Sequence, residues 1–295
     1  MASIKDFLIS FCKLTRPLSN FKNILIVALA FYFSGVKFDI LPFILGVLSL
    51  SFICSAIYGY NTINDLYFDQ NNVNKKHYIE GVRFFGEKRS FAIVLLLIII
   101  GLGMGFLLGY YFLSALIILL VIGFLYSSKY TYFKKKIILD ILFGASLTFL
   151  FRFIAAWFIF SKSFPVLLPM LSLVFGKTAG YTLYKSMDRE HLLSCHIKNT
   201  ITSLPLKSLF VFSLFFLALT FLSIALMLLN PIYFHINILG SLPIQALFLV
   251  PLAIPPIIIV FFQIFRKTKF KNSSLRFLGY IYMFLVIIFS YLVLR

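Results

Sequence analysis

Residues 40–69 read ILPFILGVLSLSFICSAIYGYNTINDLYFD, a run with no charged side chain from Ile40 to Ile63 that ends in Asn64, Asp65 and Asp69. An apolar stretch of that length crosses the ~30 Å hydrocarbon core of a bilayer as one helix. The two carboxylates therefore stand where the helix leaves the membrane. Working outward, eight further apolar runs occupy 20–35, 90–108, 110–126, 137–160, 165–186, 205–229, 241–265 and 275–294. A mean hydropathy of +1.01 and 38 phenylalanines exceed what a soluble core of 295 residues can hide. The expectation is an all-α integral membrane protein, a single domain over residues 1–295 with about nine transmembrane helices around a central cavity.

Short cytoplasmic loops retain Lys and Arg. With the N-terminus inside, nine helices assign 22 of the 27 basic residues to the cytoplasmic side, among them Lys13, Lys75, Lys88, Lys134, Lys135, Lys136 and Arg266. The outer side receives Lys37, Lys162 and Arg295, while Arg152 and Lys177 fall inside spans. The net charge of +18 reads mainly as topology plus attraction to an anionic leaflet. Its scatter over loops, without a recognition module, speaks against nucleic acid as a partner. Cys12, Cys54 and Cys195 have no metal-ligand spacing and imply no disulfide framework. The first residues, broken by Lys13 and Arg16, read as a cytoplasmic amphipathic lead-in with no cleaved signal.

Only nine residues are acidic, and four of them lie in two polar segments, as Asp65 and Asp69 and as Asp188 and Glu190. The loops 64–89, 127–136 and 187–204 share the cytoplasmic side, where chemistry is expected. Helices two to four and six to eight each surround one carboxylate segment, which suggests a duplicated arrangement around the cavity. Asp65 and Asp69 are four apart and share a face with Asn61 if the helix continues, with Asn64 adjacent. Oxygen ligands of this kind suit Mg²⁺, which takes one or two carboxylates plus substrate phosphate. A solvated loop with helix-capping Asn and Asp is the plainer alternative.

Tyr181, Lys185 and Asp188 form a second stripe, and Lys177 extends it deeper into the sixth span. A lysine at that depth is normally paired or faces water, and snorkelling suits Lys185 better than Lys177. Arg152 lies farther from either end of its helix, with Asp140 twelve residues earlier on roughly the same face. It serves either a structural ion pair with another helix or a bidentate clamp on a phosphate.

In this order the residues resemble the UbiA superfamily of intramembrane prenyltransferases, and within it the decaprenyl-phosphate phosphoribosyltransferase type. The resemblance is carried by Arg16-Pro17 with Lys22-Asn23, by Asn64-Asp65 with Asp69, by Tyr126-Ser127 through Asp140 to Arg152, and by Gly176-Lys177 with Tyr181 and Lys185. The first motif departs from the family pattern, which places Asp three and seven residues after the first Asp. Those positions here hold Phe68 and Asn72, and Asp69 comes one place late. Either a one-residue bulge restores Asp69 as a ligand, or the protein holds fewer metal ions.

The resemblance implies an Mg²⁺-dependent enzyme of a bacterial inner membrane, with a cytoplasmic site, that transfers phosphoribose from phosphoribosyl diphosphate to a polyprenyl phosphate. Asp65, Asp69 and Lys185 would be catalytic, the two carboxylates holding the metal and Asn64 orienting them. Lys177, Tyr181 and Lys185 would take the anionic donor and Arg152 one phosphate. Lys22, or Lys134 to Lys136, would guide the lipid phosphate, and Arg16, Asn23 and Asp188 would complete the substrate contacts. The Phe-rich spans would hold the polyprenyl chain. A second enzyme reading has a polyprenyl diphosphate ionise at the same metal site and alkylate an aromatic or other lipophilic acceptor. That chemistry usually has a second Asp-rich motif, for which only Asp188 and Glu190 are present. A third reading is a non-enzymatic transporter or lipid-binding protein, against which the one-sided placement of the polar motifs speaks.

Overall fold

Inside a bilayer no water satisfies the backbone, so apolar runs of Leu, Ile, Phe and Ala must close their hydrogen bonds within helices. The computed structural model describes residues 3–70, 72 and 75–241 and holds no strand among them. Helix α1 (Ile4–Thr15) is fixed at its start by a capping box of Ser3 and Asp6 and ends where Arg16 turns left-handed at φ 52°. Helices α2 (Phe21–Ser34) and α3 (Ile40–Asn64) follow. The segment read as a loop over 64–89 contains two more helices, α4 (Leu66–Asp69) and α5 (Lys76–Phe85), ahead of α6 (Glu87–Leu108). After α7 (Tyr110–Ser127), α8 (Leu139–Ile141) passes through a π-helical segment (Leu142–Ser146) into α9 (Leu147–Phe158). The described chain continues through α10 (Leu167–Met187), α11 (Arg189–Ser194), α12 (Thr200–Ser203) and α13 (Leu206–Leu229).

Five helical segments among the described residues are long and apolar enough to cross a membrane: α3, α6, α7, α8 through α9, and α13 continued to Phe234. The expected spans at 241–265 and 275–294 lie outside the described residues. Lipid offers little hydrophobic drive between helices, so close packing and interhelical hydrogen bonds hold the bundle together. Helix α3 lies along α6, α7 along α9, and α10 along α13. The core interleaves Ile26 and Val27 of α2, Leu50 and Ile53 of α3, Phe112 and Leu119 of α7, and Phe153 and Trp157 of α9. Ser49 donates to the Gly101 carbonyl at 2.7 Å, and Asn20 to Ser55 Oγ at 2.7 Å, stitching α3 to both neighbours. Leu96, Ile99 and Phe106 of α6 and Val211 and Phe215 of α13 face outward, as lipid-facing side chains do.

The fifth span differs from the continuous helix expected over 137–160. The wide π turn at Leu142–Ser146 breaks the 3.6-residue period, so the stripe expected to join Asp140 to Arg152 does not persist. Asp140 instead accepts a short hydrogen bond from Thr200, and Arg152 finds Tyr58. Outside the bundle, α1 packs against α5, with Lys13 paired to Glu80 at 2.7 Å on the exposed side. That contact needs Gly81: a Cβ there would stand 2.8 Å from the Ser10 carbonyl oxygen and 2.9 Å from the Leu14 nitrogen.

Candidate functional site

Although α3 stops at Asn64, its hydrogen bonding runs on: the Asp65 N–H donates to the Asn61 carbonyl at 3.0 Å and the Asp69 N–H to the Asp65 carbonyl at 2.8 Å. The extra turn, α4, brings Asp69 beside Asp65 by ordinary four-residue spacing rather than by a bulge. Both carboxylates are buried, at 5% and 7% exposure. They line a cavity of about 50 Å³ with Asn61, Lys75, Tyr126, Lys134, Asp140, Tyr181 and Lys185. Lys75 Nζ lies 2.8 Å from both oxygens of Asp69, and Lys134 pairs with Asp65.

The loop that delivers Lys134 is strained and held from outside. Tyr132 and Ile138 have φ of 47° and 69°, and a β-branched residue rarely adopts the left-handed region. Thr200 Oγ1 accepts the Ile138 N–H at 2.7 Å while donating to Asp140, and Asn199 Nδ2 donates to the Lys134 carbonyl at 3.1 Å. The segment after α10 thus fixes the loop before α8, and His191 meets the Phe68 carbonyl at 3.1 Å. Burial, with Lys185 and Lys135 nearby, pulls the Lys134 ammonium well below the ordinary lysine pKa.

Tyr126 and Tyr181 share a hydrogen bond of 2.6 Å across the cavity. Gly144 in the π turn makes room for them, because a Cβ there would lie 2.6 Å from Tyr181 Oη. Lys185 and Lys177 flank the Tyr181 ring, their ammonium groups 5.9 and 6.0 Å from its centroid. At 1.5 Å rise per residue their attachment points are about 12 Å apart along α10.

A second cationic cluster surrounds the deeper lysine. Arg152 is only 2% exposed, and its guanidinium lies 5.5 Å from the Phe149 ring that Lys177 approaches to 5.2 Å. The guanidinium donates one bond, to Tyr58 Oη at 3.1 Å, and its Nε and Nη1 have no partner among the described residues. Three cations stand around the Tyr58 ring: Arg16 at 5.6 Å, Lys22 at 5.2 Å and Arg152 at 5.9 Å. No ion pair to Arg152 or Lys177 exists among the described residues. Burying uncompensated charge costs several kcal/mol, so the cluster calls for an anion.

Not every expected residue joins these two clusters. Asn64 donates to the Tyr60 carbonyl at 2.9 Å and lines a separate groove of about 790 Å³ with Tyr67, Arg83, Lys129 and Lys135. It orients neither Asp65 nor Asp69; Asn61 lines their cavity instead, accepting from Ser127 Oγ at 2.8 Å. Asn23 is fully buried and its amide packs on Ser51 at 3.2 Å, a helix contact between α2 and α3. Asp188 is buried at the end of α10, outside the lining of the carboxylate cavity. Arg16 caps α1, stacks 3.7 Å from the Tyr78 ring centroid and donates to Thr62 at 2.6 Å, which ties α1, α3 and α5 to the edge of the deep cluster. Sequence reasoning missed Tyr58, which lies seven residues before Asp65 and so two turns deeper on one face of α3. It also missed Lys75, for which spacing carries no signal.

The carboxylate cavity offers hard oxygen donors: Asp65, Asp69, Asn61, and the buried Asp140 Oδ2, which accepts no hydrogen bond. No group of three or more His, Cys, Asp or Glu side chains is drawn together as a metal cage among the described residues. Such a set fits a Mg²⁺ that arrives with phosphate oxygens of its own rather than one wrapped by protein.

Together, fold and site define a helical membrane protein with a buried acid-base cavity and a deeper uncompensated cationic cluster. The chain belongs to the UbiA prenyltransferase family, whose sequence model matches residues 23–288, and is thus a membrane-embedded transferase. No curated protein matches it in sequence. Among solved structures it is similar to a UbiA homolog from Archaeoglobus fulgidus bound to GPP and Mg²⁺, with TM-score 0.71 and 20% identity over 96% of this chain and 99% of that one. The same homolog bound to DMAPP and Mg²⁺ gives TM-score 0.70 and 19% identity, covering 96% and 98% of the two chains. A digeranylgeranylglyceryl phosphate synthase matches at TM-score 0.65 and 19% identity over 96% of both chains. At these identities the likeness shows the fold.

Proposed function

We propose that this protein transfers phosphoribose from phosphoribosyl diphosphate to a polyprenyl phosphate, with Mg²⁺, at the cytoplasmic face of a bacterial inner membrane. The observation that carries the reading is that α10 places Lys185 in the carboxylate cavity and Lys177 in the deeper cationic cluster, on either side of Tyr181. Two anion sites suit a reaction in which donor and acceptor both bear phosphate. A prenyl transfer to a neutral aromatic has one phosphorylated substrate and leaves the Arg152 cluster without an evident anion.

In this reading Asp65 and Asp69 hold the metal, which when bound neutralises charge developing on the leaving diphosphate. Lys185 contacts that diphosphate, and Arg152 with Lys177 and Lys22 holds the lipid phosphate. A phosphate oxygen of the lipid attacks the anomeric carbon of the ribose. The bond from that carbon to the diphosphate oxygen breaks, and diphosphate leaves with the electron pair; no proton need move. Tyr126 and Tyr181, between the clusters, exclude water from the space where the sugar must sit. The outward Phe-rich helices would accommodate a long isoprenoid at about 0.8 kcal/mol per buried methylene.

The relatives bound to GPP and to DMAPP with Mg²⁺ favour a second reading, in which a prenyl diphosphate is the donor at the same carboxylates. Purified protein given phosphoribosyl diphosphate and polyprenyl phosphate, or polyprenyl diphosphate and an aromatic acceptor, separates the two by the mass of the lipid formed.

A further inference from the structure

In the carboxylate cavity Asp65 and Asp69 are already neutralised from within, by Lys134 and Lys75. With Asp140 and Lys185 the cavity holds three acidic and three basic side chains, a balanced set in a space of about 50 Å³. A divalent cation entering alone would add two positive charges to a buried, lysine-rich site and would have to break both ion pairs. Entering with a diphosphate, it brings the negative charge that the displaced ammonium groups need. We infer that Lys75 and Lys134 are exchange ligands: each holds a carboxylate until the metal arrives with its diphosphate, then passes to the phosphate oxygens. The metal and the donor therefore bind as one unit.

This rests on the transferase reading only in requiring a diphosphate, which both donor candidates supply. Lys75 lies in the short segment between α4 and α5, with its side chain 17% exposed, so its ammonium can move without disturbing a transmembrane helix. Lys134 hangs from the strained loop pinned by Asn199 and Thr200, where the fixed backbone leaves only the side chain to swing.

The test is Mn²⁺ binding to the detergent-purified full chain, read by equilibrium dialysis as metal retained with the protein, with and without inorganic pyrophosphate and against a protein-free control at the same pyrophosphate concentration. Pyrophosphate should tighten Mn²⁺ binding to the unaltered protein by roughly tenfold or more, the scale of a charge-assisted contact. Lys75→Gln and, separately, Lys134→Gln should tighten Mn²⁺ binding without pyrophosphate and shrink the pyrophosphate effect. Lys185→Gln controls for the general field: it removes a charge from the same cavity without removing a partner of Asp65 or Asp69, and should shift Mn²⁺ binding less. The inference is overturned if Mn²⁺ binds equally with and without pyrophosphate. It is also overturned if both exchange variants change affinity no more than Lys185→Gln. Either result would leave the phosphoribosyl transfer untouched, since that stands or falls on the mass of the lipid product.

Discussion

At the scale of single residues, Arg152 concentrates the reading. It is buried in the bundle, uses one of its donors on Tyr58, and shares the Phe149 ring with Lys177. A planar guanidinium grips a phosphate through two parallel bonds that an ammonium cannot reproduce. Arg152→Lys should therefore lower kcat/KM for the lipid phosphate by roughly ten- to a hundredfold, the loss of one charge-assisted bond or more, while the melting temperature in detergent stays near its starting value. Unchanged lipid kinetics in a folded Arg152→Lys protein would return the residue to a structural role. Asp65→Asn and Asp69→Asn should each lower turnover by about tenfold or more, and a fully active Asp69→Asn would take Asp69 out of the metal site. The depth of Arg152 and Lys177 was legible in the sequence, because charges inside apolar runs stand out. Their common aromatic neighbour Phe149 and the tyrosine at 58 were not, because rings in a phenylalanine-rich chain carry no distinguishing pattern.

At the scale of elements, the informative departures from simple helices are the π turn and the surface helix pair. The π turn at Leu142–Ser146 places Gly144 under the Tyr126–Tyr181 bond, and a methyl group there collides with both rings. Gly144→Ala should reduce turnover by roughly tenfold or more through misplacement of the substrate space, with Mn²⁺ binding at Asp65 and Asp69 preserved; retained turnover would show that the tyrosine pair can move aside. In the surface pair, Gly81→Ala pushes α5 off α1 through two backbone atoms and should destabilise that contact by about 1–3 kcal/mol. Faster tryptic cleavage after Lys13 would report it. Hydropathy located the long helices because a bilayer demands a minimum apolar length. It could not find α4 and α5, since α4 is a single turn and α5 owes its position to the contact with α1. Asp69 was recognisable as a partner of Asp65 by spacing, whereas the claim of Lys75 on it depends on how the chain folds back after α4.

At the scale of the whole molecule, the distribution of basic residues predicts an orientation that the bundle itself does not reveal. Single cysteines introduced near Lys75 and Lys135 should be labelled from the cytoplasmic side, and those near Lys162 and Pro231 from the outside. Labelling of the Lys75 and Lys162 positions from the same side would break the proposed topology. The family was legible because polar residues from Arg16 to Lys185 resemble its motifs in order, and the family model matches residues 23–288. The reaction was less so, because one fold and one carboxylate site can serve both donors. Mass spectrometry of the lipid made by purified protein with Mg²⁺ decides between them. Phosphoribosyl diphosphate and polyprenyl phosphate should give a lipid heavier by one phosphoribosyl group, with diphosphate released. No such product, together with prenylation of an aromatic acceptor by polyprenyl diphosphate, would contradict the phosphoribosyl transfer and leave the fold standing.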